Sequence, residues 1–107
     1  MPQESSVALV TGAACGIGRQ VALVLADRGY VVAANDLDAP GDTLEELKRS
    51  GAEALSVPGD VSDEGAVLGI VEAVMGRFGR IDVLANNARI SLIYPPKRPL
   101  FPAGGVC

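Results

Sequence analysis

Four short apolar runs separated by helix-patterned segments narrow the fold more than any other feature of this chain. "SVALVT" (6–11), "YVVAAN" (30–35), "EALSV" (53–57) and "IDVLAN" (81–86) each read as a strand. Between the first two, Ile17, Val21, Val24 and Leu25 recur at i, i+4, i+7 and i+8, one face of a helix that Gly29 ends. Next, Asp42 and Glu45 form a capping-box-like start, Leu44 and Leu47 share a face, and Gly51 is a stop. Before the fourth strand, Ser62 is placed to cap a helix with Asp63 and Glu64 in its first turn, where the helix dipole favours acids. The apolar face of that helix is Val67, Val71, Val74 and Phe78, and Gly79 closes it.

The order is β-α-β-α-β-α-β. Continuously apolar strands with helices between them imply an α/β fold: a partial doubly wound, Rossmann-like parallel sheet. Right-handed crossovers leave few topologies, and the natural one has local strand order 3-2-1-4. The pattern stops near residue 90. Pro95, Pro96, Pro99 and Pro102, then Gly104 and Gly105, cannot continue a helix or a central strand. Residues 1–90 are therefore expected to form one half-domain and residues 91–107 an irregular tail.

Charge and composition exclude several functions. Residues 1–88 carry thirteen acids against six bases, whereas residues 89–107 carry Arg89, Lys97 and Arg98 and no acid. An acidic body argues against nucleic acid, whose phosphates need a basic face. There is no histidine, and Cys15 and Cys107 make neither a disulfide framework nor a zinc site. The N-terminus lacks a signal-peptide pattern and no apolar run approaches a membrane span, so a cytoplasmic location is the expectation.

The chemistry concentrates at the strand ends. "TGAACGIG" (11–18) lies between the first strand and the first helix, with Gly12, Gly16 and Gly18 in G-x-x-x-G-x-G spacing. This is neither G-x-G-x-x-G nor a P-loop, but the physics is shared. Gly12 permits a tight turn, Gly16 lets the backbone approach a pyrophosphate, and Gly18 lets the helix pack close to the sheet. The helix N-terminus offers free N–H groups to an anion. The bland alternative is a glycine-rich turn without a ligand. Asp36 ends the second strand, where an acid accepts hydrogen bonds from the adenosine ribose and repels a 2′-phosphate. Cys15 and Leu37 are the neighbouring places for a basic residue that would greet such a phosphate, and neither is basic. NAD is thus expected in preference to NADP. Asp60, in "GDVS" (59–62), is placed for the adenine amino group, with Val61 against the ring, or is an ordinary loop acid. "ANNA" (85–88) puts two Asn residues at the end of the fourth strand.

In combination, "TGAACGIG", "NDLD", "GDVS" and "NNA" resemble the short-chain dehydrogenase/reductases over about residues 5–93. The resemblance implies an oxidoreductase acting on alcohols and ketones by hydride transfer. Its cofactor contacts would be Gly12, Gly16, Ile17 and Gly18 on the pyrophosphate, Asp36 on the ribose with Leu37 beside it, and Asp60 and Val61 on the adenine. Asn87 and Ala88 would lie near the nicotinamide-side ribose, and Thr11 would fix the turn. Full-length relatives are oligomeric by the same resemblance.

Two departures stand out. The family's strand-four motif ends in Gly, where this chain has Arg89, which either crowds the cofactor or pairs with its pyrophosphate. The family's catalysis uses a Ser and a Tyr-x-x-x-Lys; here Tyr94 and Lys97 are i, i+3 with Pro95 and Pro96 between them, so neither they nor Ser91 fit that role. No catalytic residue is assigned. Two readings follow: the cofactor half of an NAD-dependent oxidoreductase, or a non-catalytic dinucleotide-binding or interaction module. A half-sheet with an apolar edge is also expected to be marginally stable or to self-associate.

Overall fold

The computed structural model describes residues 6–87. It contains β1 (Val7–Thr11), α1 (Gly16–Asp27), β2 (Val31–Ala34), α2 (Gly41–Arg49), β3 (Ala54–Ser56), α3 (Glu64–Phe78) and β4 (Val83–Asn86). The four strands form one parallel sheet in the order β3-β2-β1-β4, as the strand and helix alternation implies. Val7 pairs with Val31 on one side of β1, and Ala8 pairs with Val83 on the other. The strands are one or two residues shorter than their apolar runs. The boundary expected at residue 90 and the tail of 91–107 lie outside the described residues.

The sheet separates two apolar layers. Val7, Leu9, Val31, Ala33, Val57, Ile70 and Val74 pack on the α3 side. Val10, Ala13, Ala22, Val32, Ala34 and Leu47 pack on the side of α1 and α2. β1 and β2 are buried along their whole length, which explains their unbroken apolar sequence. The α3 crossover carries the chain from β3 on one side of β1 to β4 on the other. A topological switch therefore falls between β1 and β4, and their C-terminal ends open a crevice there.

Helix faces depart from expectation. The residues of α1 buried against the sheet are Gly18 and Ala22, while Ile17 is 75% and Val24 51% exposed. Small residues four apart let the helix axis approach the strands, so the conspicuous stripe is rotated partly outward. In α3 the buried residues are Ile70 and Val74, and Val71 lies on the solvent side with Leu68 and Met75. The α3 cap is Asp63, whose side chain accepts from the Ala66 N–H at 3.2 Å. Ser62, the expected cap, instead donates to Asp60. α2 begins at Gly41 with no side-chain cap, so Asp42 lies inside its first turn. β4 is an edge strand among the described residues, and its Leu84 is exposed.

Asp82 anchors the start of β4. Its carboxylate accepts from the Val7 N–H at 2.7 Å and from the Arg80 guanidinium at 2.8 Å. The Arg80 bond first, and then the Val7 N–H, hold the Asp82 carboxyl below its ordinary pKa. A folded-state pKa below the unfolded one contributes stability above the unfolded value, and loses it as pH falls through the folded value. Urea midpoints are expected to drop below about pH 4, with a shallower drop in Asp82→Asn. Identical acid limbs for the two proteins would count against this anchor.

Candidate cofactor site

The glycine-rich segment turns directly off β1. Gly12 and Gly16 both have positive φ, 66° and 62°, which explains glycine at these two places. A side chain built at Gly16 meets nothing within 4 Å, so the chain there faces open space. Gly18 is different: a Cβ on it would run into the backbone carbonyl of Gly12. Its smallness serves the contact between the helix start and the turn.

The α1 N-terminus is open to an anion. Cys15 occupies the N-cap without a side-chain cap hydrogen bond, and the first turn holds no acid. The Cys15 sulfur is disulfide-bonded. Ile17 and Gly16 lie exposed beside that terminus.

Asp36 stands at the end of β2, facing this turn. Its Oδ2 accepts from the Ala14 N–H at 2.9 Å and its Oδ1 from the Leu37 N–H at 2.8 Å. Each oxygen keeps a further lone pair for an outside donor. Leu37 is largely exposed. Asp60 lies on the loop after β3, where its Oδ1 accepts from the Ser62 hydroxyl at 2.6 Å and the Ser62 N–H at 2.9 Å. The Ser62 hydroxyl first, and then the Ser62 N–H, lower its pKa. Val61 is half-buried beside it.

Across the crevice, the Thr11 hydroxyl donates to Asn86 Oδ1 at 2.9 Å and accepts from the Asn87 N–H at 3.0 Å. Thr11 thus joins the ends of β1 and β4, a wider role than fixing the turn. Ala88 and Arg89 lie outside the described residues, as do Ser91, Tyr94 and Lys97.

Two polar residues of the site escaped the sequence reading, which did place the Asn86 and Asn87 pair at the end of the fourth strand. Asn35 is 1% exposed, and its side-chain amide donates to the Val57 carbonyl at 2.8 Å and the Gly59 carbonyl at 3.2 Å. Thr43, fully buried on α2, donates to the Ala13 carbonyl at 2.8 Å. A buried Asn at the end of an apolar run was the available signal for Asn35. Thr43 carried none, because nothing in its spacing shows that α2 docks on the turn.

Glycine turn, uncapped helix start, β2 acid and β3 loop therefore converge at the C-terminal ends of the parallel strands, where open α/β sheets bind ligands. The family model for short chain dehydrogenase matches residues 6–98. The chain belongs to the short-chain dehydrogenase family. Among members of that family, it is 41% identical over 87 residues to a (2S)-[(R)-hydroxy(phenyl)methyl]succinyl-CoA dehydrogenase subunit of Thauera aromatica, covering 79% of this chain and 35% of the relative. It is also 41% identical over 87 residues to a 3-oxoacyl-[acyl-carrier-protein] reductase of Staphylococcus aureus, covering 78% and 35%. Among solved structures, an actinorhodin polyketide ketoreductase with NADPH superposes with a TM-score of 0.75 at 42% identity, covering 78% of this chain and 33% of that one. The chain thus spans about a third of the length of the curated short-chain dehydrogenases it matches. Among the described residues no helix is long and apolar enough to cross a membrane.

Proposed function

We propose that this chain forms the cofactor-binding half of a nicotinamide-dinucleotide-dependent oxidoreductase that moves hydride between an alcohol or ketone and NAD. The observation that carries the reading is the open N-terminus of α1 beside Asp36, with the exposed Gly16 turn between them. In this reading Gly12, Gly16, Ile17 and Gly18 hold the pyrophosphate by backbone N–H groups and close approach. Asp36, flanked by Leu37, accepts from the adenosine ribose, and Asp60 and Val61 take the adenine. Thr11 keeps Asn87 at the nicotinamide side, where the family motif also assigns Ala88. The cofactor supplies hydride chemistry, and these residues bind and orient it. No Tyr-x-x-x-Lys spacing occurs in the 107 residues, so none of them is assigned to proton transfer.

The preference for NAD rests on Asp36. An adenosine 2′-phosphate would meet its carboxylate, with uncharged Leu37 beside it. The polyketide ketoreductase named above was solved with NADPH, so the comparison of the two cofactors is a direct test. Titration of the 107-residue chain is expected to show tighter binding of NAD than of NADP. Asp36→Ala should weaken NAD by about tenfold, the value of one hydrogen bond to a charged acceptor, and should bring the two affinities together. Tighter NADP binding by the unsubstituted chain would refute the assignment of Asp36, and no binding of either would refute the function.

A further inference from the structure

We infer that Thr43 is a positioning residue of the cofactor turn, acting with Asp36 on one peptide group. The Ala13 carbonyl accepts from the Thr43 hydroxyl at 2.8 Å, and the Ala14 N–H donates to Asp36 Oδ2 at 2.9 Å. These two atoms belong to the same peptide. In a trans peptide its C=O and N–H point in opposite directions, so Thr43 and Asp36 grip it from opposite sides. Rotation of that peptide would break both bonds. The hydroxyl also lies 3.3 Å from the Ala14 carbonyl, which shares its single proton.

Thr43 is fully buried, so its hydroxyl has no water to turn to. One helical turn further along α2, Glu46 pairs with Arg19 in the first turn of α1. The same face of α2 thus holds the turn before α1 and the beginning of α1 itself. The Ala13 N–H is also fixed, donating to the Asn35 carbonyl at 2.8 Å. Only Thr43 reaches the Ala13 carbonyl among the hydrogen bonds of the described residues. Loss of its hydroxyl frees one side of a peptide that leads straight into the pyrophosphate-binding turn. A helix otherwise remote from the ligand thereby sets the shape of the site.

The test compares Thr43→Val, which keeps the shape and removes the hydroxyl, with Thr43→Ser, which keeps the hydroxyl. Amide hydrogen exchange needs no cofactor. In Thr43→Val the Ala14 amide should exchange about tenfold faster relative to the Val32 amide of β2, and Thr43→Ser should restore the original ratio. NAD affinity should fall and recover in parallel; this second arm rests on the proposed function. If the unsubstituted chain binds no NAD, that function fails and the exchange ratios still decide the role of Thr43. If Thr43→Val does not fold, the unsubstituted chain decides by NMR: a slowly exchanging Thr43 hydroxyl proton hydrogen-bonded to the Ala13 carbonyl supports the role, and its absence overturns it. An unchanged exchange ratio in Thr43→Val, or failure of Thr43→Ser to restore it, likewise overturns the inference.

Discussion

Gly18→Ala is expected to destabilise the chain by about 3 kcal/mol, the upper part of the usual range for overpacking, and to remove detectable NAD binding. Inside an exposed helix the same change would stabilise by about 1 kcal/mol, because alanine is the better helix former. Here the sign reverses. The new Cβ would strike the Gly12 carbonyl oxygen, with the carbonyl carbon at 2.6 Å and the Ala13 nitrogen at 3.3 Å. All three obstacles are backbone, so no side chain can swing away. Either α1 retreats from the sheet, which uncovers Ala22, or the Gly12 turn moves, which displaces the peptide held by Thr43 and Asp36. Gly16→Ala is the control. It meets no neighbour, and its cost is only that of a side chain at φ 62°, roughly 1–2 kcal/mol. Urea denaturation of both variants gives the comparison. A Gly18→Ala protein as stable as the unsubstituted chain would mean that the helix start and the turn do not approach this closely.

The contrast between these glycines shows what was legible in the sequence. Close packing at Gly18 was legible from its place at the helix start, but its partner is the backbone of the Gly12 turn and not the sheet. The strand order was equally legible, because β1 and β2 are buried on both faces and must read as unbroken apolar runs. Helix orientation was not. The stripe Ile17–Val21–Val24–Leu25 is real, but periodicity tells which residues share a face and not which face meets the sheet. Gly18 and Ala22 contribute little hydropathy, yet their lack of bulk is what brings α1 against the strands. Ser62 failed as a cap for a related reason. A hydroxyl next to two acids has competing acceptors, and Asp60 takes it while Asp63 caps the helix. The place of Asp36 just past the end of β2 was legible, because the apolar run stops there. Its bond to the Ala14 N–H was not, since it joins residues 22 apart in sequence.

Asn35→Leu should cost about 2–3 kcal/mol, the penalty for leaving buried carbonyls without a donor. The side chain is nearly the same size, so packing is not the main loss. The Asn35 backbone is already committed, since its N–H donates to the Val10 carbonyl and its C=O accepts from the Ala13 N–H, both at 2.8 Å. Only its side-chain amide spans from the end of β2 to the Val57 and Gly59 carbonyls. Both partners are acceptors, so the group facing them has to be the NH2 and not the oxygen. Gly59 leads into Asp60 and Val61, and removing the strut should loosen the loop proposed to take the adenine. NAD affinity is therefore expected to fall along with stability. Asn35→Asp separates the two contributions. It keeps the size and polarity but replaces the donor with a carboxylate facing two carbonyl oxygens. At neutral pH it should be at least as destabilising as Asn35→Leu, and it should recover part of the loss as acid protonates the carboxyl and restores a donor. Denaturation midpoints of both variants at neutral and acidic pH make the comparison. If Asn35→Asp matches the unsubstituted chain at neutral pH, the amide is not the strut that shapes this loop.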